Sequence, residues 1–399
     1  MAAYSKQEAA DRAGVSLDDL VRQVEVGALT PKKADQFSAG DVRKAGLIKS
    51  LEGAGIPLDG LAEVIRKGAL DLDFMDDAIY ERFAALGNVT FQELSEQTGV
   101  PVELLMVIRE AVGSAQPSPQ DRVREDELMI SPFIEAQVKA GFRHTAIERL
   151  LRTTGDSLRR IAETEADWWY SEVLEPLVAQ GMSPSEAAND ANNNEMTGLS
   201  ERALLATMHA QQTHTWTANI IRGVEGELAR AGLHSRLEHP PAMCFLDITG
   251  YTRLTQERGD AAAAQMAGEL ARVVQRTSVQ HGGRPVKWLG DGVMFFFPDP
   301  GPGVMAALEM VVGAAGAGLP PAHVGLHAGP VVFQEGDYFG QTVNVASRIA
   351  EYARPGEVLV TQEVVDASSG TDATFTAIGP VELKGVGGAV HLHSARRSG

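Results

Sequence analysis

Cysteine is almost missing from this chain. Its single example, Cys244, excludes an internal disulfide and any multi-cysteine zinc site, and it favours a reducing compartment. Long hydrophobic runs are missing too: no stretch approaches ~18 uninterrupted apolar residues, so no membrane span is expected. The first residues, MAAYSKQEAADR, lack the apolar run that a secretory signal needs. These absences predict a cytoplasmic protein. Positive charge is also short, with 35 Lys and Arg against 53 Asp and Glu and a formal net charge of −18. Residues 1–70 balance at 10 of each sign, 71–239 carry 14 basic against 28 acidic, and 240–399 carry 11 against 15. No part has the basic excess that grips a phosphate backbone, so DNA binding is disfavoured.

What remains is an ordinary globular composition, 44% hydrophobic and 22% charged. A length of 399 residues predicts two or three domains. From residue 4 to about 198 apolar residues recur at helical spacing (Leu20, Val21, Val24; Leu47, Ile48, Leu51). A Pro/Ser stretch at 115–119 divides this region, and an Asn-rich loop at 189–198 ends it. Residues 199–233 then contain no proline, with Ser200 as an N-cap and Gly232 as a stop. Met208, Trp216, Ile220, Ile221, Val224 and Leu228 form an apolar stripe along that helix, which would be roughly 50 Å long. After His239-Pro240-Pro241 short β-rich runs (MCFLDI, RPVKWL, GVMFFFP, HVGLHAG) alternate with helical stretches, indicating a mixed domain of α and β elements. The expected organisation is a module at 1–75, a helical domain at 76–198, a connecting helix at 199–239 and an α+β domain at 240–399. The expected class is therefore multidomain: an all-α N-terminal region, a long connecting helix and an α+β domain.

YSKQEAADRAGVSLDDLVRQVEVG has the helix, glycine turn and second helix of a helix–turn–helix, and FSAGDVRK follows at the distance of a wing. Residues 4–68 resemble the MerR-type winged-helix domain. That family grips phosphates with arginine and aromatic residues on and after its second helix, where this chain has VRQVEVG, with Arg22 alone and no aromatic. A helical module reused for contacts is the preferred reading. A second echo, TFQELSEQTGVPVELLMVIREAVG at 90–113, has the same status.

Three segments of the last domain bear chemistry. Phe245 to Thr252 reads as an apolar strand ending in Asp247, then Thr249-Gly250-Tyr251-Thr252 at a helix start. A carboxylate beside free backbone amides suits a metal–triphosphate complex. Lys287-Trp288-Leu289-Gly290-Asp291-Gly292 is a hairpin signal that would set Asp291 at the sheet edge of Asp247 if the two strands are neighbours. In the block from Asp337 to Arg348, Asn344 and Arg348 are four apart and share a helix face, where one can orient a ribose oxygen and the other neutralise phosphoryl charge. Singly, each piece has a plain structural reading: a helix cap, a hairpin, a surface pair.

Together, and in this order, they resemble the class III nucleotide cyclase catalytic domain over residues 241–393. Asp247-Ile248 with Gly250-Tyr251-Thr252, Lys287 to Asp291, Asp337, Phe339-Gly340, Asn344 to Arg348 and Leu383-Lys384-Gly385 match its motifs, with Tyr251 standing where the family has Phe. The resemblance implies a ferredoxin-like βαββαβ fold with extra strands, and cyclisation of ATP to cyclic AMP and pyrophosphate. It implies two Mg²⁺ or Mn²⁺ ions per active site, held by Asp247, Asp291 and the Ile248 carbonyl. It assigns Asn344 to the ribose, Arg348 to the crowded phosphorus and Lys384 to the terminal phosphates. Lys287 and Asp337 would read the base: the carboxylate accepts from the adenine 6-amino group and the ammonium donates to N1, a pattern that guanine reverses. In this family the metal and base-reading sets come from different subunits, which implies a homodimer with two shared active sites. A guanylate cyclase, and a transcription regulator using this domain as a nucleotide sensor, are the open alternatives. The N-terminal region is expected to regulate. His209, His214, His234 and His239, in or just after the connecting helix, are candidate pH-sensing groups. An apolar ligand near Trp168, Trp169, Tyr170 and Trp216 is the alternative stimulus.

Overall fold

The computed structural model describes residues 3–398, apart from 34, 77–79, 81–82, 184–185, 188–189, 191–195, 234–238, 252–255, 258 and 291. The chain divides into two compact units, Met1–Asn219 and Ile220–Gly399.

In the first unit, local capping chemistry sets the helix ends. Helix α1 (Lys6–Ala13) opens on a capping box, in which the Ser5 hydroxyl accepts from the Glu8 amide and the Glu8 carboxylate accepts from the Ser5 amide. Helix α2 (Leu17–Val26) starts on Ser16. Helices α3 (Ala39–Gly53) and α4 (Leu58–Arg66) follow. Leu20, Leu29, Phe37 and Ile48, all essentially buried, close one core among them. Between α2 and α3, where a wing was expected, the described residues hold the isolated bridges Tyr4–Phe37 and Lys33–Gln36.

A second core around Phe91, Leu105, Ile108, Ile134 and Ile147 gathers α5 (Phe91–Thr98), α6 (Val102–Ala111), α7 (Glu125–Lys139) and α8 (His144–Trp169). This unit is not wholly helical as expected. Strands β1 (Leu86–Thr90) and β2 (Arg122–Arg124) pair antiparallel. Five and three residues offer too few positions for an alternating pattern to show in the sequence. Arg122 ties the pair to the first core: its Nη1 donates to the Asp11 carbonyl at 2.9 Å and its Nε to the Gly87 carbonyl at 2.8 Å. Arg12 forms an ion pair with Glu125 across the same junction.

The connecting helix, α10 (Met196–Arg230), starts before the expected Ser200 cap, which leaves Ser200 inside the helix. Gly198 lowers helix propensity by about 1 kcal/mol but breaks no hydrogen bond, so the helix runs through it. A shorter helix, α9 (Glu175–Ala179), precedes it. The amide of Gly232 (φ 72°) donates to the Ala229 carbonyl and that of Leu233 to the Leu228 carbonyl, closing the C-terminal end. The stripe residues Met208, Trp216, Ile220, Ile221 and Val224 are exposed.

The second unit is an α+β domain. Its elements are β3 (Ala242–Ile248), α11 (Asp260–Gln280), β4 (Arg284–Leu289), β5 (Gly292–Phe297), α12 (Pro300–Gly316) and β6 (Ala322–Ala328), in the order βαββαβ. They are followed by β7 (Val332–Gln334), β8 (Asp337–Phe339), α13 (Gln341–Tyr352), β9 (Val358–Thr361), α14 (Gln362–Ala367), β10 (Ala373–Glu382) and β11 (Ala389–Arg397). Seven strands form one sheet in the order β10-β11-β9-β6-β3-β5-β4, and β7 and β8 make a separate hairpin. Strand β3 is buried on both faces. Cys244, Leu246 and Ile248 pack with Leu270, Val274 and Met310 of α11 and α12, while Met243 and Phe245 meet Ala346 and Ala350 of α13 on the other side. By alternation, Asp247 belongs to the α13 face. Gly325 on β6 lets α13 lie against the sheet, since a Cβ there would come within 2.2 Å of the Ala350 amide nitrogen.

Candidate active site

The end of β3 builds the first group. Asp247 is paired in register with Gly292 of β5 on one side and His323 of β6 on the other. Strands β3 and β5 are therefore neighbours, the condition on which the Asp247–Asp291 expectation rested. Asp291 itself and Thr252 lie outside the described residues, although Leu289 and Gly292 on either side of Asp291 are paired in the β4–β5 hairpin. Gly292 keeps the space beside the carboxylate open: a Cβ there would lie 3.0 Å from the Leu246 carbonyl oxygen. The Ile248 amide donates to Asp247 Oδ1 at 3.0 Å. Thr249 and Gly250, both exposed, form the turn, and the Tyr251 hydroxyl donates to the Ala263 carbonyl at 3.0 Å, anchoring the turn to α11.

The second group forms where the β7–β8 hairpin meets β4. Lys287 Nζ lies 2.9 Å from Asp337 Oδ2, although 50 residues separate them. Asp337 is held from behind, because its Oδ1 accepts from the Tyr338 amide at 2.8 Å. The buried Tyr338 ring stacks on Phe296 at 4.5 Å, and its hydroxyl accepts from Arg284 at 2.8 Å. The carboxylate is thus fixed, and the ammonium at the end of a half-exposed side chain is free to share it with a ligand.

The third group surrounds the start of α13. Phe339, Gly340, Asn344, Val345, Gly385 and Gly387 line a cleft of about 590 Å³. Lys384 is exposed beside it, between buried Leu383 and the turn at Gly385. Arg348 lies one helical turn beyond Asn344 and is paired with Glu351, whose carboxylate pushes the guanidinium further toward its charged form.

The second and third groups adjoin, since Tyr338 and Phe339 line the same cleft as Asn344, whereas Asp247 lies further along the sheet. Helix α13 runs antiparallel to β6: Thr342 sits against Gly329, and Ala346 to Ala350 sit against Gly325. Asn344 falls between those anchors, about four strand residues, or ~13 Å, from the level of Asp247. Of the candidate pH-sensing groups, His209 and His214 are exposed on α10 and point about 140° apart at five residues' spacing. His239 is half-buried, and His234 lies outside the described residues. No ion pair among the described residues involves His209, His214 or His239. Sequence reasoning missed His323 and the Arg284–Tyr338 support, because strand register and hairpin docking are non-local.

Comparison with known proteins bears on the second unit most directly. Residues 321–394 match the adenylate and guanylate cyclase catalytic domain. A pH-sensitive adenylate cyclase of Mycobacterium tuberculosis is 29% identical over 321 residues, spanning 77% of this chain and 78% of that protein. An adenylate cyclase of Streptomyces coelicolor is 28% identical over 275 residues, spanning 67% of this chain and 68% of that protein. The solved adenylyl cyclase of P. aeruginosa aligns with a TM-score of 0.38 at 20% identity, covering 40% of this chain and 95% of that one. No helix among the described residues is long and apolar enough to cross a membrane. Within the second unit, residues 321–394 are thus similar to the adenylate and guanylate cyclase catalytic domain.

Proposed function

We propose that this protein is an adenylate cyclase that converts ATP to 3′,5′-cyclic AMP and pyrophosphate as a homodimer with two shared sites, under control of its N-terminal region. The observation that carries the choice of ATP is the Lys287–Asp337 pair, with ammonium and carboxylate 2.9 Å apart. Adenine presents its N1 acceptor next to its 6-amino donor, so adjacent groups of these two types complement that edge. Guanine presents the reverse order, an O6 acceptor beside an N1–H donor, and so mismatches both groups when Asp337 faces position 6 and Lys287 faces N1. The adenylate cyclases among its relatives support the same choice.

The donor set at the end of β3 suits hard divalent cations: a half-exposed carboxylate, Asp247, beside the Ile248 carbonyl, with Asp291 as the third ligand. Mg²⁺ or Mn²⁺ held there would supply Lewis acidity toward the ribose 3′-hydroxyl and the triphosphate. The remaining work belongs to the chain. Asn344 orients the ribose so that its 3′-oxygen stands in line with the α-phosphorus. Arg348 leaves Glu351 to neutralise charge on the equatorial oxygens. Lys384 and the Thr249–Gly250 turn bind the departing pyrophosphate. The ~13 Å between the levels of Asn344 and Asp247 supports assembly of each site from two chains.

Regulation through α10 is part of this reading, because a site shared between chains responds to any change in their alignment. The pH-sensitive relative favours pH as the stimulus and His209, His214, His234 and His239 as the first groups to test. Incubating the full-length protein with ATP or GTP plus Mn²⁺, with products read by mass spectrometry, decides the activity. Cyclic AMP as the main product is expected; cyclic GMP in excess would make it a guanylate cyclase, and no cyclic product would favour a nucleotide sensor.

A further inference from the structure

His323 is a buried polar residue with no role in the reading above. Its position on β6 is directly opposite Asp247 across the antiparallel ladder. Imidazole Nε2 lies 3.7 Å from Asp247 Oδ2, and Nδ1 lies 3.3 Å from the Thr249 hydroxyl. The two partners differ sharply in exposure, with the His323 side chain 11% exposed and that of Asp247 47%. The ring is held by packing within the sheet, whereas the carboxylate sits half-exposed at the strand end. Oδ1 accepts from the Ile248 amide, and Oδ2 faces the imidazole at 3.7 Å, close but beyond hydrogen-bond distance. Thr249 is fixed from its other side, its amide donating to the Pro321 carbonyl at 3.1 Å, two residues before His323.

We propose that His323 is a positioning residue that clamps Asp247 to the Thr249 turn, fixing the metal-binding carboxylate at a set distance from the amides that receive phosphate. The inference rests on the assignment of Asp247 as a metal ligand and extends it to the shell behind that ligand. Carboxylates that bind metals need a partner to hold their orientation, and loss of such a partner lowers metal affinity by roughly 10–100-fold. His323 supplies this from the sheet itself. Its backbone is locked in the β3–β6 ladder, so the clamp moves only if the sheet does.

The test is Mn²⁺ binding to the full-length protein in the presence of 3′-deoxy-ATP, read from the electron paramagnetic resonance signal of free Mn²⁺. Four proteins are compared: wild type, Asp247→Asn, His323→Leu and His323→Gln. Asp247→Asn should lose Mn²⁺ binding. His323→Leu should weaken it roughly 10–100-fold, and His323→Gln, which retains an N–H donor of similar reach, should stay within a few-fold of wild type. Mn²⁺ affinity of His323→Leu within twofold of wild type overturns the proposal. If His323→Leu does not fold, Thr249→Val, which frees the ring from its second partner, takes its place: a several-fold loss supports the clamp, and unchanged affinity overturns it. Should Asp247→Asn bind Mn²⁺ as wild type does, the metal assignment itself is wrong. Failure of the His323 variants alone leaves that assignment standing.

Discussion

Gly325→Ala is the smallest change expected to separate folding of the second unit from its catalysis. A Cβ at this position would lie 2.2 Å from the Ala350 amide nitrogen, 2.7 Å from the Ile349 carbonyl carbon and 2.8 Å from the Ala346 carbonyl oxygen. All three are backbone atoms of α13, so no side chain can swing aside. Ordinary contact begins near 3.4 Å, and the helix must therefore lift by about 1 Å. Overpacking of this kind costs roughly 1–3 kcal/mol, or a fall in melting temperature of roughly 2–4 °C per kcal/mol. The consequence for turnover is larger. Asn344 and Arg348 ride on α13, and a ~1 Å misplacement of positioning groups lowers the rate on the order of 100-fold. Thermal unfolding and ATP turnover, measured side by side at a temperature where the variant is fully folded, give the two quantities. A folded Gly325→Ala protein with wild-type kcat would refute the argument that the β6–α13 contact sets the position of Asn344 and Arg348 for the proposed reaction.

Other outcomes follow from the same geometry. Mixing Asp247→Ala with Arg348→Ala chains should restore part of the activity that each lacks alone, because one shared site per heterodimer is then intact; inactive but fully formed heterodimers would sink the shared-site model. Lys287→Glu with Asp337→Ser should lower ATP use far more than Mn²⁺ binding, and a large ATP preference surviving in the double variant would place base selection elsewhere. Burial of His327 against Thr361 pushes its pKa below the ordinary 6.5, with Glu363 acting weakly the other way. The unfolded chain then takes up this proton first as pH falls, so stability is lost below pH 6.5 until the folded-state pKa is reached, at a rate of at most about 1.4 kcal/mol per pH unit. Denaturant melts of wild type and His327→Gln between pH 7 and 5 should diverge in slope, and parallel curves would contradict this. Finally, the ratio of full-length to 238–399 fragment activity should change steeply between pH 5.5 and 8, and Gln at His209, His214 and His234 should flatten it; a ratio independent of pH rules out these histidines as the sensor.

Much of the second unit was legible because its signals are local. The strand ending at Asp247, the β4–β5 hairpin and the α13 segment from Gln341 each announce themselves within a dozen residues. The βαββαβ order of elements was named only through the resemblance, and it does not by itself set the order of strands in the sheet. Pairings across the sheet were not legible. That His323 faces Asp247 depends on the β3–β6 register, which no alternation within HVGLHAG specifies. Lys287 and Asp337 were named as base readers through two motifs, but their contact comes from a hairpin folding back on β4, with the Tyr338 ring stacked on Phe296. In the first unit, the two helices around the glycine turn were readable from YSKQEAADRAGVSLDDLVRQVEVG, and the structure starts them on Ser5 and Ser16. The Ser200 cap was misplaced, because a serine inside a long helix looks the same in sequence as one at its start.

The junction made by Arg122 bears on how the first 75 residues should be handled. The Asp11 carbonyl it binds belongs to the last turn of α1, the end of a helix that most favours a cation, and the cation comes from a residue 111 positions away. Gly14 leans on the same neighbourhood, with Leu86 3.2 Å from where its Cβ would be. A segment that looks in sequence like a portable cassette is therefore finished by chain that lies outside it. Cut at residue 75, it would lose the guanidinium at α1 and the partner of Arg12, and a failure to bind DNA would report on the cut as much as on the module. Any assay of its independent activity, and any account of how such a segment came to precede the second unit, has to carry β2 and α7 along with it.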